Sequence, residues 1–289
     1  MAIKYDARIR RGARAVWHHP MLEGVWQSAA GRLLRRAAGL PITERFGEIT
    51  RIEGILVSTN KYGCTLRFFV QNRRDLIQSY HFSGEFYEVK ELDIIQKHFK
   101  EDGVFVDIGA NVGNHTIFAS KVLNAKKVIP FELHPDALAV LTTNIALNGC
   151  HNVDPSFLGY GVSAAVERLS PQRASYGNNL GGTRFKPKGR GDVQSFPTIR
   201  ADVALNDTWV DFIKIDVEGM EIDALKSLEQ TVQRCRPTMF IEVDNYNHDL
   251  FVIWCNEHGY KVVETLKLYE WNVCYLLVPS QSSPRVTAG

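Results

Sequence analysis

Val104-Phe105-Val106-Asp107-Ile108-Gly109-Ala110-Asn111-Val112-Gly113-Asn114-His115-Thr116 reads as a short apolar strand, a glycine turn and the start of a helix. Val104 to Ile108 is the continuous kind of run that lies buried on both faces of a parallel sheet. At Gly109 and Gly113 the backbone can pass where a side chain would block a ligand, and the first amides of the following helix point into the same space. A nucleotide-like cofactor is implied. Nineteen residues after Gly113 stands Glu132, at the end of the next apolar run, where a carboxylate can accept both hydroxyls of a ribose.

Outward from this run the chain alternates strands and helices, the pattern of a parallel α/β sheet with helices on both faces. Seven strands are expected at Val104–Ile108, Lys127–Glu132, Asn152–Leu158, Asp211–Asp216, Thr238–Val243, Lys261–Glu264 and Val273–Val278. Helices are expected at Asn114–Leu123, Pro135–Asn148, Glu221–Glu229 and Asn247–His258. Upstream, Ile49–Ser58 and Cys64–Gln71 read as a hairpin turning at Asn60-Lys61-Tyr62-Gly63, and Phe86, Val89, Leu92, Ile95 and Phe99 mark one apolar face of a helix. The segment 159–200, rich in glycine and polar residues, reads as a loop or short hairpin inserted over the functional face.

Two cofactor classes use a glycine turn with a downstream acid. A dinucleotide prefers G-x-G-x-x-G because its pyrophosphate sits against the helix start; here the glycines read Gly109-Ala110-Asn111-Val112-Gly113 with no third glycine following. That disfavours a pyrophosphate. S-adenosylmethionine carries no phosphate, and an acid such as Asp107 suits its ammonium or sulfonium charge. A second run, Asp211-Phe212-Ile213-Lys214-Ile215-Asp216-Val217-Glu218-Gly219-Met220-Glu221, ends a strand in two carboxylates. In an open α/β sheet its tip lies beside that of the glycine-turn strand, at the switch point where ligands bind. Asp216 and Glu218 are therefore expected to face the transferred methyl group, while Glu221 reads equally as a first-turn helix acid.

Gly84-Glu85-Phe86-Tyr87-Glu88, Val106 to Gly113, Phe131-Glu132-Leu133-His134-Pro135 and Phe212 to Glu221 together resemble the FkbM family of S-adenosylmethionine-dependent methyltransferases, over roughly residues 84 to 265. The resemblance implies a Rossmann-like class I methyltransferase fold, a seven-stranded mostly parallel sheet whose final strand runs antiparallel. It implies methylation of a hydroxyl on a sugar, glycolipid or related small acceptor. It also implies cofactor contacts from Asp107, Gly109, Ala110, Asn111, Gly113, Glu132, Leu133 and His134, with Asp216 and Glu218 as the acids near the reaction. His115 and His134 are further candidates for a general base, and Glu242 is a rim acid.

The expected organisation is a basic helical arm at 1–46, a β-hairpin extension at 47–83, a methyltransferase domain at 84–280 carrying the 159–200 insertion, and a tail at 281–289. Residues 1–40 hold eight basic side chains against Asp6 and Glu23, so the chain's net charge of +2 hides a remainder of −4. Such a basic amphipathic face can touch anionic lipid or an acidic partner; a solvated face over the next domain is the plainer alternative. Five cysteines without a CxxC pair fit a reducing compartment, and no run approaches the length of a membrane span, so a cytoplasmic protein, peripheral to the inner membrane face at most, is expected.

Nucleic acid is the main rival acceptor, cited for by the basic arm with Trp17 and Trp26 and by Arg and Lys in 159–200. No Asn-Pro-Pro-aromatic or Asp-Pro-Pro-aromatic tetrapeptide follows the fourth strand, which speaks against methylation of a base amine. A non-catalytic scaffold binding S-adenosylmethionine would not need the Asp216 and Glu218 pair. Asp216, Glu218, Glu242 and Asp244 have the chemistry for a hard cation, but their spacing alone defines no site; Cys255 and His258 lack a second ligand pair for zinc, and no metal is assigned.

Overall fold

The structure, a computed structural model, describes residues 53–172 and 179–280. The arm at 1–46, with Trp17 and Trp26, and the tail at 281–289 lie outside the described residues. In chain order the strands are β1 Ile55–Lys61, β2 Cys64–Val70, β3 Val104–Ile108, β4 Lys127–Phe131, β5 Gly161–Val162, β6 Arg168–Pro171, β7 Phe185–Pro187, β8 Phe196–Ile199, β9 Phe212–Ile215, β10 Thr238–Asp244, β11 Tyr260–Leu266 and β12 Asn272–Pro279. The helices are α1 Leu76–Phe82, α2 Val89–His98, α3 Asn114–Lys121, α4 Pro135–Leu147, α5 Ala201–Ala204, α6 Glu221–Lys226, α7 Glu229–Cys235 and α8 His248–Glu257.

The main sheet runs β11-β12-β10-β9-β3-β4. β4, β3, β9 and β10 are parallel, β12 is antiparallel to β10, and β11 pairs antiparallel with β12. The expected parallel core and reversed final strand are present, but the sheet has six strands and not seven. The difference is local. Pro155 has no amide hydrogen to give a ladder, so the 152–158 segment turns as a short 3-10 helix at Pro155–Phe157 and touches β4 only through bridges at Val128–Val153 and Glu132–Leu158.

The 159–200 segment also exceeds its reading as a loop or hairpin. It builds a separate four-stranded sheet in the order β5-β8-β6-β7, short strands whose mixed polar sequence gave little periodicity to find. The expected helix Glu221–Glu229 is split into α6 and α7, with Ser227 closing the first.

Both faces of the main sheet are covered. On one, Phe105, Phe212 and Phe240 meet Ile117 and Phe118 of α3, Leu92 and Ile95 of α2, and Leu66, Phe68 and Val70 from the hairpin. Each such fully buried side chain stabilises by roughly 1.5–3 kcal/mol. The hairpin is thereby part of the core. Its β2 edge is closed by side chains of the fourth helix: Asn144 Oδ1 accepts from Phe69 N at 2.7 Å, and Asn148 both accepts from Arg67 N at 2.9 Å and donates to Arg67 O at 2.6 Å. An exposed strand edge is satisfied without a further strand. On the opposite face Ile213, Ile215, Met239 and Ile241 pack on Leu225, Val232, Phe251 and Trp254 of α6, α7 and α8.

Among the described residues, no helix is long and apolar enough to cross a membrane. All five cysteines are free of disulfides.

Candidate active site

The glycine turn leaves β3 with Gly109 at φ +82° and Gly113 at φ +96°, the left-handed region that side-chain-bearing residues avoid. Space, as well as torsion, demands glycine at the first of these. The Gly109 and Ala110 amides both donate to Phe131 O at 3.0 Å, tying the turn to the end of β4. Asn111 is also left-handed, at φ +48°, and its buried side-chain oxygen has no hydrogen-bond partner.

Glu132 joins the two loops. Its Oε2 accepts from Asn111 N at 2.8 Å, and its Oε1 accepts from Leu133 N at 2.7 Å and His134 N at 2.6 Å. Burial raises the affinity of this carboxyl for its proton, and the three amide donors act in the opposite direction. The residue is therefore a loop clamp as well as a strand-tip acid. His134 caps α4, its Nδ1 accepting from Asp136 N at 3.2 Å.

A crevice enclosing about 610 Å³ of empty space, part of it open to solvent, runs along these loops. Gly109, Asn111, Glu132, Leu133 and His134 line one wall, and Asp216, Glu218 and Met220 another. The inserted 159–200 segment supplies most of the rest, with Val162, Leu169, Leu180 and Phe185 giving an apolar slot that no motif had indicated. Four expected site residues are not on its walls: Ala110 packs with Leu141 and Leu158, Gly113 lies against Leu141, and Asp107 and His115 lie deeper. Asp107 is fully buried, accepting from Thr116 Oγ1 at 2.6 Å and facing Lys214 Nζ at 3.7 Å, so it lies beneath the turn and not on the crevice wall. His115 is buried on the first turn of α3, with Nε2 lying 3.8 Å from Glu91 Oε2.

The β9 tip is organised by Lys214, 2 % exposed inside an otherwise apolar strand. Its Nζ donates to Gly109 O at 3.0 Å and to Asp216 Oδ2 at 3.1 Å. Burial works against the ammonium, but Asp216, Asp107 and Glu88 outweigh it and its pKa is raised. The lone lysine of the Phe212-Ile213-Lys214-Ile215 run was the available signal for this role.

Glu218 takes the strained left-handed conformation, φ +46°, that turns its carboxyl toward the crevice. Burial, reinforced by Asp216, pushes it up to about 8 against the pull of Arg184, whose Nη2 is 4.0 Å away. That arginine, from the inserted sheet, is anchored on Asp244 at 2.6 Å and on Tyr246 Oη at 3.2 Å. Glu221 faces inward as a cap: it accepts from Gly219 N at 2.6 Å and from Asn247 Nδ2 at 2.5 Å. Glu242 accepts from Asn272 Nδ2 at 2.6 Å and is raised by burial and by Asp216 and Glu88. Beside it, Glu88 and Glu91 bring further acids from the Gly84–Glu88 motif and the second helix; Glu88 is raised by burial and by Glu91.

The profile of the Methyltransferase FkbM domain matches residues 107–262, more than half of the chain, from the first turn acid to the penultimate strand. The chain belongs to the FkbM methyltransferase family. Hexuronic acid methyltransferase AglP of Haloferax volcanii is 28% identical to it over 174 residues, covering 59% of this chain and 67% of that protein. The crystal structure of methyltransferase FkbM from Methylobacillus flagellatus is 16% identical, with a TM-score of 0.43, over 70% of this chain and 52% of that one. TYW2 of M. jannaschii, solved in complex with AdoMet, is 18% identical with a TM-score of 0.42, over 78% of this chain and 88% of that one.

As an FkbM-family chain it is an S-adenosylmethionine-dependent methyltransferase with the class I fold. The residues on the crevice wall fit that donor: a glycine bend in close backbone contact with the neighbouring strand tip, a clamped carboxylate at the second strand tip, and a buried amide oxygen at Asn111 without a partner. The FkbM family match accounts for the fold of the pocket; the acceptor is a matter of the side chains that close it.

Proposed function

We propose that the chain transfers a methyl group from S-adenosylmethionine to a hydroxyl oxygen of a sugar or sugar-bearing acceptor, with Glu218 as the base. Gly109, Ala110, Asn111 and Gly113 hold the donor at the turn, and Glu132, Leu133 and His134 hold its ribose and ring. The donor supplies an electrophilic methyl on a positively charged sulfur. What remains is to orient an alcohol in line with that methyl and to take up its proton.

Glu218 carries this reading. It lines the crevice, stands at the switch point of the sheet, and has been pushed up to about 8, which makes its carboxylate a far better proton acceptor than an ordinary one. Asp216 is committed to Lys214 and supplies fixed negative charge. Arg184 steadies the Glu218 side with Asp244.

A sugar acceptor is supported by the aromatic side chains next to the acids. Tyr269 and Trp271 stack at 5.1 Å, Trp271 is exposed, and the Tyr87 hydroxyl bonds that of Tyr269 one residue before Glu88. Such a face suits the apolar side of a pyranose ring. AglP, the hexuronic acid methyltransferase, gives the same direction.

The test is transfer of labelled methyl from S-adenosylmethionine to a panel of free hexuronic acids, neutral sugars, glycolipids and RNA. Label in an ether linkage on a sugar oxygen is expected. Label in RNA bases, or donor binding without transfer to any acceptor, would overturn the reading.

A further inference from the structure

Behind the β9 tip, three side chains meet that the transfer of a methyl group does not require. Glu88 precedes α2 in a left-handed conformation, φ 56°, and its side chain does not cap the helix it begins. Glu91 follows it by three residues and so lies on the same helical face. His115 comes from the first turn of α3, two residues after Gly113.

One carboxylate oxygen of each glutamate and one ring nitrogen of the histidine lie within 4.8 Å of one another. The Glu91 Oε2 to His115 Nε2 distance is 3.8 Å, beyond a hydrogen bond yet within the separation of two ligands that share an ion at roughly 2.0–2.2 Å each. The other Glu91 oxygen accepts the Cys274 thiol at 3.1 Å, which fixes the carboxylate plane.

The independent observation is His115. It is only 6 % exposed, and its Nε2 is buried with no hydrogen-bond partner although it is aimed at two carboxylates. A buried polar nitrogen left in this way is costly unless something fills the gap. A proton does not serve well: burial and the nearby Lys214 both hold the imidazole neutral, which leaves it a ligand and not a cation.

The charge balance agrees. Glu88, Glu91 and Glu242 all stand near one another; burial and the charge of Asp216 raise all three, and Glu91 adds to the rise of Glu88 and of Glu242. Lys214, a buried cation beside them, is already held by Asp216, Asp107 and the Gly109 carbonyl.

We propose that Glu88, Glu91 and His115 form a binding site for one divalent first-row transition cation, between α2 and the helix that follows the glycine turn. Two carboxylates with one imidazole form an oxygen and nitrogen donor set suited to Mn²⁺ or Zn²⁺, whereas Ca²⁺ and Mg²⁺ prefer oxygen alone. The ion neutralises the acid cluster and ties the Gly84–Glu88 motif to the donor loop. This assignment does not depend on the nature of the acceptor.

The test uses the full chain, stripped with a chelator and titrated separately with Mn²⁺ and Zn²⁺, followed by calorimetry, thermal denaturation and, for Mn²⁺, the loss of the free-ion paramagnetic signal. One equivalent is expected to bind and to raise the melting temperature. Glu88→Gln and His115→Gln are each expected to weaken binding by more than about tenfold, in keeping with the effect of lost metal contacts. Glu88→Gln decides if the buried histidine variant does not fold, since Glu88 is only half-buried. Absence of stoichiometric binding by either ion would overturn the site. So would binding that Glu88→Gln leaves unchanged but Glu218→Gln abolishes, which would place the ion on the Asp216, Glu218 and Glu242 group instead.

Discussion

A Cβ built on Gly109 would lie 1.8 Å from the carbonyl oxygen of Asp216. The glycine turn and the tip that carries the acids are thus in backbone contact, and the two keep their distance by having no side chain between them. Lys214 locks the same junction from below, bonding to Gly109 O and Asp216 at once. The two strand tips act as one rigid unit at the floor of the crevice.

Gly109→Ala is therefore expected to cost about 2–5 kcal/mol, the sum of a left-handed torsion and overlap with backbone that cannot rotate away. Chemical denaturation measures it. A loss below about 1 kcal/mol, close to that of an ordinary surface change, would mean that the strand tips separate freely.

Lys214→Met is expected to destabilise by about 3–5 kcal/mol, because it leaves Asp107 and Asp216 without their buried counter-charge. Pairing it with Asp107→Asn should recover part of the loss. A double-variant cycle by urea denaturation checks the coupling.

Glu132→Gln tests the loop clamp. One amide group has a single oxygen, whereas the native carboxylate serves Asn111 N with one oxygen and the Leu133 and His134 amides with the other. The variant sets an NH₂ against a backbone N–H, and an unsatisfied buried donor costs roughly 1–3 kcal/mol. Affinity for S-adenosylmethionine should fall by about 10–100-fold, read by calorimetry.

Glu218→Gln should reduce turnover by about 10²–10⁴-fold while leaving donor affinity nearly unchanged. In the native protein, the basic form of Glu218 increases as pH rises through about 8, so turnover should climb over that range and the climb should disappear in the variant. Equal losses in donor binding and turnover would place Glu218 on the cofactor.

Stability should run the other way with pH. Glu218 and Glu91 are pushed up, to about 8 and about 7, so the folded chain holds their protons where the unfolded chain has released them. Their contribution is complete below the ordinary carboxylate range and is lost as pH rises through 7 and 8. Melting temperature in chelator should fall between about pH 5 and 8, and less steeply in Glu218→Gln.

The glycine turn, the clamp acid and the two acids after Phe212–Ile215 were legible because their position is a local property of the sequence. A strand that breaks into a positive-φ bend, or an apolar run that ends in carboxylates, places its chemistry at the carboxyl edge of the sheet in any such fold. Asp107 shows the limit of that reasoning. Being one residue before the strand ends, it turns beneath the sheet edge to Thr116 and Lys214, a direction that neighbouring elements set.

Sequence by itself thus determined the parallel α/β framework and the place of the glycine turn, for which short-range periodicity and glycine torsions suffice, while the reversed last strand was implied by the family resemblance. Only the tertiary structure decided that the 159–200 segment is a sheet walling the crevice, that Pro155 leaves the main sheet with six strands, and that Glu88, Glu91 and His115 converge. The reason is physical: burial, mutual repulsion and missing partners are properties of groups brought together across long stretches of chain, and no single stretch carries them.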